Sequence, residues 1–209
     1  MENLMITAVL SKPVVPIDKW SPTLDGLLTW QILKNEELLI TNPSKLEILK
    51  TINLIKSKIP LEIGELDCTG KKEWYFKASS PSYKVKKEDQ EIYLNQTYNT
   101  INIEYVTSRI NWFCVGDITG LQDLLQTVLY VGKKNDVYRT RIVEWVVKPF
   151  NEDWHLWRGD RLAKPVPCSA IINDKRLLLD TYEVKNWRWR PLKLDDNKAK
   201  CVMPARNIL

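Results

Sequence analysis

This chain is poor in the residues from which most cofactor and catalytic sites are built. It has seven glycines and one histidine in 209 residues. No Gly-x-Gly-x-x-Gly, no Gly-x-x-x-x-Gly-Lys-Ser/Thr and no Gly-x-Ser-x-Gly occurs, so the dinucleotide, nucleoside-triphosphate and serine-hydrolase loops are missing. Its four cysteines, Cys68, Cys114, Cys168 and Cys201, are far apart with no Cys-x-x-Cys among them. With His155 as the single imidazole, a zinc site is not expected. No cofactor is expected either. The N-terminus lacks a basic region followed by an apolar core, and no apolar run approaches bilayer length. These absences predict a cytoplasmic protein with reduced thiols and no membrane partner.

What the chain does have is cations and indoles. Lys plus Arg outnumber Asp plus Glu by 31 to 26, giving a net charge of +5, which permits a nucleic-acid partner without requiring one. Apolar content of 44% and charged content of 27% suit a folded globular chain, and the length suits one domain with a small appendage. Nine tryptophans are many. Most are expected in the core, with Trp187 and Trp189 left as base-stacking candidates.

The most legible stretch runs from Arg109 to Lys148. Residues 109–115 read as an aromatic, β-branched strand that Gly116-Asp117 breaks. Leu121, Leu124, Leu125, Val128 and Leu129 then mark one face of a helix expected to stop at Val131-Gly132. A basic turn, Lys133-Lys134-Asn135-Asp136, leads into a second strand over 137–147. Strand, helix, turn and strand make half of a ferredoxin-like unit. Arg109, Lys133, Lys134, Arg139 and Arg141 bracket the turn, with Tyr138 and Trp112 as stacking surfaces; Arg158, Arg161 and Lys164 follow. Each of these cations is equally compatible with an ordinary solvated surface.

Upstream, Leu4 to Leu10 reads as a first strand and residues 12–22 as a proline-punctuated loop. Thr23 or Asp25 caps a helix carrying Leu24, Leu27, Leu28, Ile32 and Leu33. A second helix, Lys45 to Lys58, is marked by Ile48, Ile52, Ile55 and Ile59 and ended by Pro60. Strand pieces at 63–66 and 74–79 flank a turn at 69–72, and residues 81–90 form a lysine-bearing loop. Thr100 to Val106 alternates as a half-exposed strand. Near the end, strand register puts Lys185, Trp187 and Trp189 on one face, with Arg188 and Arg190 on the other as candidate phosphate contacts.

Several of these pieces occur together in one known family. They are Leu24-Asp25-Gly26-Leu27-Leu28, the Trp74 to Ser80 segment, Val115-Gly116-Asp117, Val131-Gly132-Lys133-Lys134, Val143-Glu144-Trp145 and the Gly159 to Pro167 stretch. The chain resembles the RAMP superfamily of CRISPR-associated proteins, and within it the type IV effector subunits of the Cas-five-like group. Relatives follow the two basic residues with Gly-Tyr-Gly; here Asn135 to Thr140 keeps the tyrosine without the glycines. The resemblance implies an α+β protein whose ferredoxin-like (RRM-like) core spans 1–150, with an insertion around 61–108. A β-rich extension, 151–209, would pack on it. It further implies a non-catalytic subunit that caps the 5′ handle of the guide RNA (crRNA). That subunit would touch the backbone and large-subunit-like proteins and lie near the target DNA's flanking motif. Three alternatives stay open: a metal-independent endoribonuclease using His155, Tyr138 and Lys133, a RAMP-derived protein-binding module, and an unrelated α+β domain.

Overall fold

The strand Glu2–Val14 (β1) sits at the middle of the main sheet, with a residue on every second position turned into the core. Leu4, Ile6, Ala8 and Leu10 are buried there. The structure, a computed structural model, describes residues 1–14, 23–38, 44–83, 90–95, 100–105, 107–131, 140–176, 182–190 and 198–204. After β1 come helices Leu24–Asn35 (α1) and Lys45–Lys58 (α2), then strands Ile63–Cys68 (β2), Lys71–Phe76 (β3), Ser82–Tyr83 (β4), Gln90–Asn95 (β5) and Thr100–Tyr105 (β6). Thr107–Gly116 (β7), helix Ile118–Gln126 (α3), Tyr130–Val131 (β8) and Thr140–Pro149 (β9) follow. The C-terminal part holds Trp157–Arg158 (β10), Arg161–Leu162 (β11), Val166–Pro167 (β12), the short helix Cys168–Ile171 (α4), Val184–Arg188 (β13) and Lys198–Val202 (β14).

The chain is therefore a mixed helix-and-strand protein, mostly strands. Its main sheet has the order β4-β7-β1-β9-β8, and β1 is antiparallel to both β7 and β9. Those two strands accordingly run parallel, one on each side of β1, and α3 lies between them in sequence. Leu24 and Leu28 of α1, Ile55 of α2, and Leu121 and Leu125 of α3 join Ile110, Trp112 and Cys114 of β7 in one core. The helices thus cover the face of the sheet that carries Leu4, Ile6 and Ala8. Among the described residues no helix is long and apolar enough to cross a membrane.

Local chemistry explains the helix starts. The Thr23 hydroxyl accepts the Gly26 N–H at 3.3 Å, so Thr23 is the N-cap and Asp25 lies inside the first turn. Ser44 and Glu47 form a full capping box, the Glu47 carboxylate taking the Ser44 N–H at 2.7 Å. Asp117 caps α3 by accepting the Gly120 N–H at 2.6 Å, and Gly116 before it still belongs to β7 rather than breaking it.

Helix α3 departs from the expected course. It ends at Gln126, not at Val131-Gly132. Thr127 turns its hydroxyl back onto the Leu124 carbonyl at 2.7 Å, and the N–H of Val128 bonds Leu125 in a tighter turn. Thr127 and Val128 are both β-branched, which weakens the helix there. Val131 reaches the core from a strand pairing with Thr140, while Leu129, assigned above to the helix's buried face, is exposed.

The β2–β3 hairpin turns at Thr69 and Gly70, both at positive φ, close to the turn expected from the sequence. The C-terminal part packs against this hairpin. Tyr75 of β3 clusters with Trp189, Cys201 and Met203, and Leu66 of β2 touches both that cluster and a second one around Trp157, Leu162, Val166 and Val202.

Candidate nucleic-acid interface

Because β7 and β9 run parallel, their first residues emerge at the same end of the sheet. Arg109 stands opposite Val9 on β1, and Arg141 opposite Tyr130 on β8, just beyond the Leu10–Ile142 pairing. The Thr107 hydroxyl fixes the entry to β7, accepting the Arg109 N–H at 3.1 Å and donating to its carbonyl at 2.8 Å. Both arginines are exposed, and among the described residues neither has a carboxylate within ion-pair distance. Lys12, exposed on the same stretch of β1, adds a third charge. The sequence reading missed Lys12 because the prolines at 13 and 16 suggested a loop from residue 12; the strand pairing of Val14 with Thr107 carries β1 past it. Lys133, Lys134, Tyr138 and Arg139 lie outside the described residues, as do residues 84–89 of the lysine-bearing loop and residues 15–22.

A second basic feature is the β10–β11 hairpin, where Arg158 and Arg161 are direct cross-strand partners around Gly159-Asp160. The Arg158 guanidinium lies over the Trp154 indole, 4.5 Å from the ring centre. Trp154 in turn packs edge-on against Phe113 and Phe150.

Four tryptophan and cation assignments require correction. Trp112 is fully buried and packs against Trp145 at 5.8 Å between ring centres, so its face is closed to a base. Lys164 is also buried; its ammonium faces Asp25 at 3.6 Å, the Phe76 carbonyl at 3.3 Å and the Tyr75 ring. Arg190 donates to Glu73 at 2.9 Å and is held between the Trp74 and Trp189 rings, so it ties β3 to the C-terminal part instead of meeting phosphates. Trp189 is a core residue and Trp187 is half-buried against the same cluster. Arg188 belongs to β13, paired with Lys198, but its side chain lies outside the described atoms.

His155 sits in a buried relay, while Tyr138 and Lys133, named with it above, lie outside the described residues. Its Nε2 is 3.0 Å from the Tyr75 hydroxyl and its Nδ1 bonds the Asp153 carboxylate. The arrangement suits a neutral ring, with Nδ1–H donating to Asp153 and Nε2 accepting from Tyr75. Burial lowers the His155 pKa below its ordinary value while Asp153 opposes the shift, and burial pushes the Tyr75 phenol up to about 12. A phenol in that state is a hydrogen-bond donor, not a nucleophile. Among the described residues no group of three His, Cys, Asp or Glu side chains is placed to hold a metal ion. Against known proteins, no family model matches this chain and no curated sequence does.

Proposed function

We propose that this protein is a non-catalytic RNA-binding subunit, of the kind that caps the 5′ handle of the guide RNA in a type IV CRISPR ribonucleoprotein. Its core is read as ferredoxin-like (RRM-like). The order β4-β7-β1-β9, with β1 antiparallel between two parallel strands joined through α3, supports that reading. The observation that carries the functional proposal is the gathering of Arg109, Arg141 and Lys12 at one end of the sheet, without carboxylate partners among the described residues. Exposed cations gathered at one end of a sheet are what a phosphate chain needs. The engagement of His155 by Tyr75 and Asp153 favours binding over cleavage.

A protein-contact role accompanies this one. Trp30 on α1 and Leu46 and Leu49 on α2 are about half exposed or more, an apolar set suited to a neighbouring subunit of the complex, backbone or large. The test is to purify the protein from cells expressing its genomic neighbours and to sequence the RNA that accompanies it. A uniform short RNA with one fixed 5′ end is expected. Clean protein, alone and with every neighbour present, would sink the RNA reading and leave the protein-binding module.

A further inference from the structure

We infer that Arg158 and Arg161 form a phosphate-binding fork that takes a doubly charged terminal phosphate, the end group of a nucleotide or of a nucleic-acid strand. The inference deepens the RNA-binding reading and rests on it for the strand that carries the phosphate.

The fork begins with an unfavourable arrangement. Like charges directly opposite each other on paired strands destabilise a hairpin, and this hairpin has only two residues in each strand with which to offset the repulsion. Four other cations of the C-terminal part are neutralised where they stand: Arg176 by both oxygens of Asp174, Lys185 by Glu183, Arg190 by Glu73 and Lys164 by Asp25. Arg158 and Arg161 have no such partner among the described residues. Of the nearby acids, Asp160 in the turn is exposed and forms no ion pair with either arginine, and Glu152 has its carboxylate on the Trp154 indole N–H at 2.7 Å. Burial, and next the charge of Arg161, pull the Arg158 guanidinium below its ordinary pKa, with Glu152 opposing the shift.

The geometry is also set in advance. An arginine already held over an indole has given up part of its rotamer freedom, so less entropy is lost when its planar fork of donors engages an oxyanion. Gly159, at φ +61°, makes the tight turn, and the Tyr182 hydroxyl holds it through the Asp160 carbonyl at 3.1 Å. Two guanidinium charges match a phosphate monoester, which carries about −1.5 to −2, better than a singly charged diester. The fork also stands apart from the sheet-end cations. Trp154 packs on Phe113, which shares a sheet face with Arg109 from four positions along β7, about 13 Å away.

The experiment compares short single-stranded RNAs that differ only in bearing a terminal phosphate (5′ or 3′) or a hydroxyl. Binding is read by fluorescence anisotropy for the unsubstituted chain, for Arg158→Gln and Arg161→Gln, and for Lys175→Gln as a charge-matched control. A thermal-shift titration with inorganic phosphate runs beside it. One phosphorylated end should bind about tenfold tighter than the hydroxyl end, and either arginine variant should abolish that preference while Lys175→Gln keeps it. Equal binding of all ends, or an equal loss for every RNA in the arginine variants, overturns the fork as a terminal-phosphate site and leaves the RNA reading intact. Stabilisation by inorganic phosphate that needs both arginines, with no RNA bound at all, supports the fork and defeats the RNA reading.

Discussion

The ammonium of Lys164 lies 3.6 Å from the carboxylate of Asp25, and each side chain is 2% exposed. This pair joins the first turn of α1 to the segment after β11, and the Phe76 carbonyl adds a hydrogen bond from the end of β3. Removing one partner of a buried ion pair strands the other charge without water. Lys164→Met should therefore cost about 3–5 kcal/mol of unfolding free energy. Replacing both, as Lys164→Met with Asp25→Leu, should recover a large part of that loss, because neither charge is then left alone. Urea unfolding of the two variants beside the parent chain checks this. A single variant within about 1 kcal/mol of the parent would show that the pair is not sealed from solvent.

His155 should make stability depend on pH in a definite direction. Burial lowers its folded-state pKa below the ordinary 6.5, with Lys164 and Lys77 acting the same way and Asp153 opposing. A depressed folded value means that the neutral ring is preferred in the fold. Its contribution is complete above the unfolded value and is lost as pH falls through the folded one. The gap in urea midpoint between the parent chain and His155→Gln should thus be widest at about pH 7.5 and narrow toward about pH 5. Measuring the difference between the two proteins cancels the other titrating groups to first order. A gap that stays constant across that range would mean that His155 is not held neutral by its surroundings.

Glycine at position 116 has a packing reason that its place in a strand conceals. A Cβ there would come within 2.7 Å of the Pro60 carbonyl oxygen and 2.7 Å of Leu121 Cδ1. The carbonyl belongs to backbone already bonded to the Asp117 N–H at 3.0 Å, so it cannot easily move away. Gly116→Ala should cost about 1–3 kcal/mol by overpacking. Gly70 is the contrasting case: its φ is +81° and a Cβ would meet nothing within 4 Å, so Gly70→Ala should cost only the backbone strain, about 1 kcal/mol. Thermal unfolding of both variants would separate the two mechanisms, and an equal, small effect would refute the overpacking account.

What could be read from the sequence was local. The Ser44–Glu47 box, the isoleucine face of α2 with Ile55 and Ile59 buried, the turn at 69–70 and the buried alternation of β1 are each set by residues within one or two turns of each other. What could not be read was long-range pairing. Lysine and arginine are surface residues by default, and nothing near Lys164 or Arg190 in sequence indicates that Asp25 or Glu73 will bury them. Trp112 alternates correctly for a strand, but which face of that strand receives the helices depends on where α1, α2 and α3 dock. The end of α3 was misplaced because Val128 and Val131 are buried either way, and only the exposure of Leu129 distinguishes a helix from a turn followed by a strand.

Arg109 and Arg141 should act on affinity, and Arg190 on stability. The first two are exposed at one end of the sheet, so the double substitution Arg109→Gln/Arg141→Gln leaves no buried group stranded and should unfold in urea close to the parent midpoint. If each neutralises one phosphate, the slope of log affinity against log salt for single-stranded RNA should fall in magnitude by about 1.4, twice the ~0.7 expected per phosphate on a single strand. Arg190→Gln reverses the pattern. It breaks the 2.9 Å bond to Glu73 and removes a cation packed between Trp74 and Trp189, so the urea midpoint should drop while the salt slope stays that of the parent. A salt slope that falls for Arg190→Gln but not for the Arg109/Arg141 pair would move the phosphate path away from the sheet end, toward the C-terminal strands, and would withdraw the assignment of the sheet-end cations.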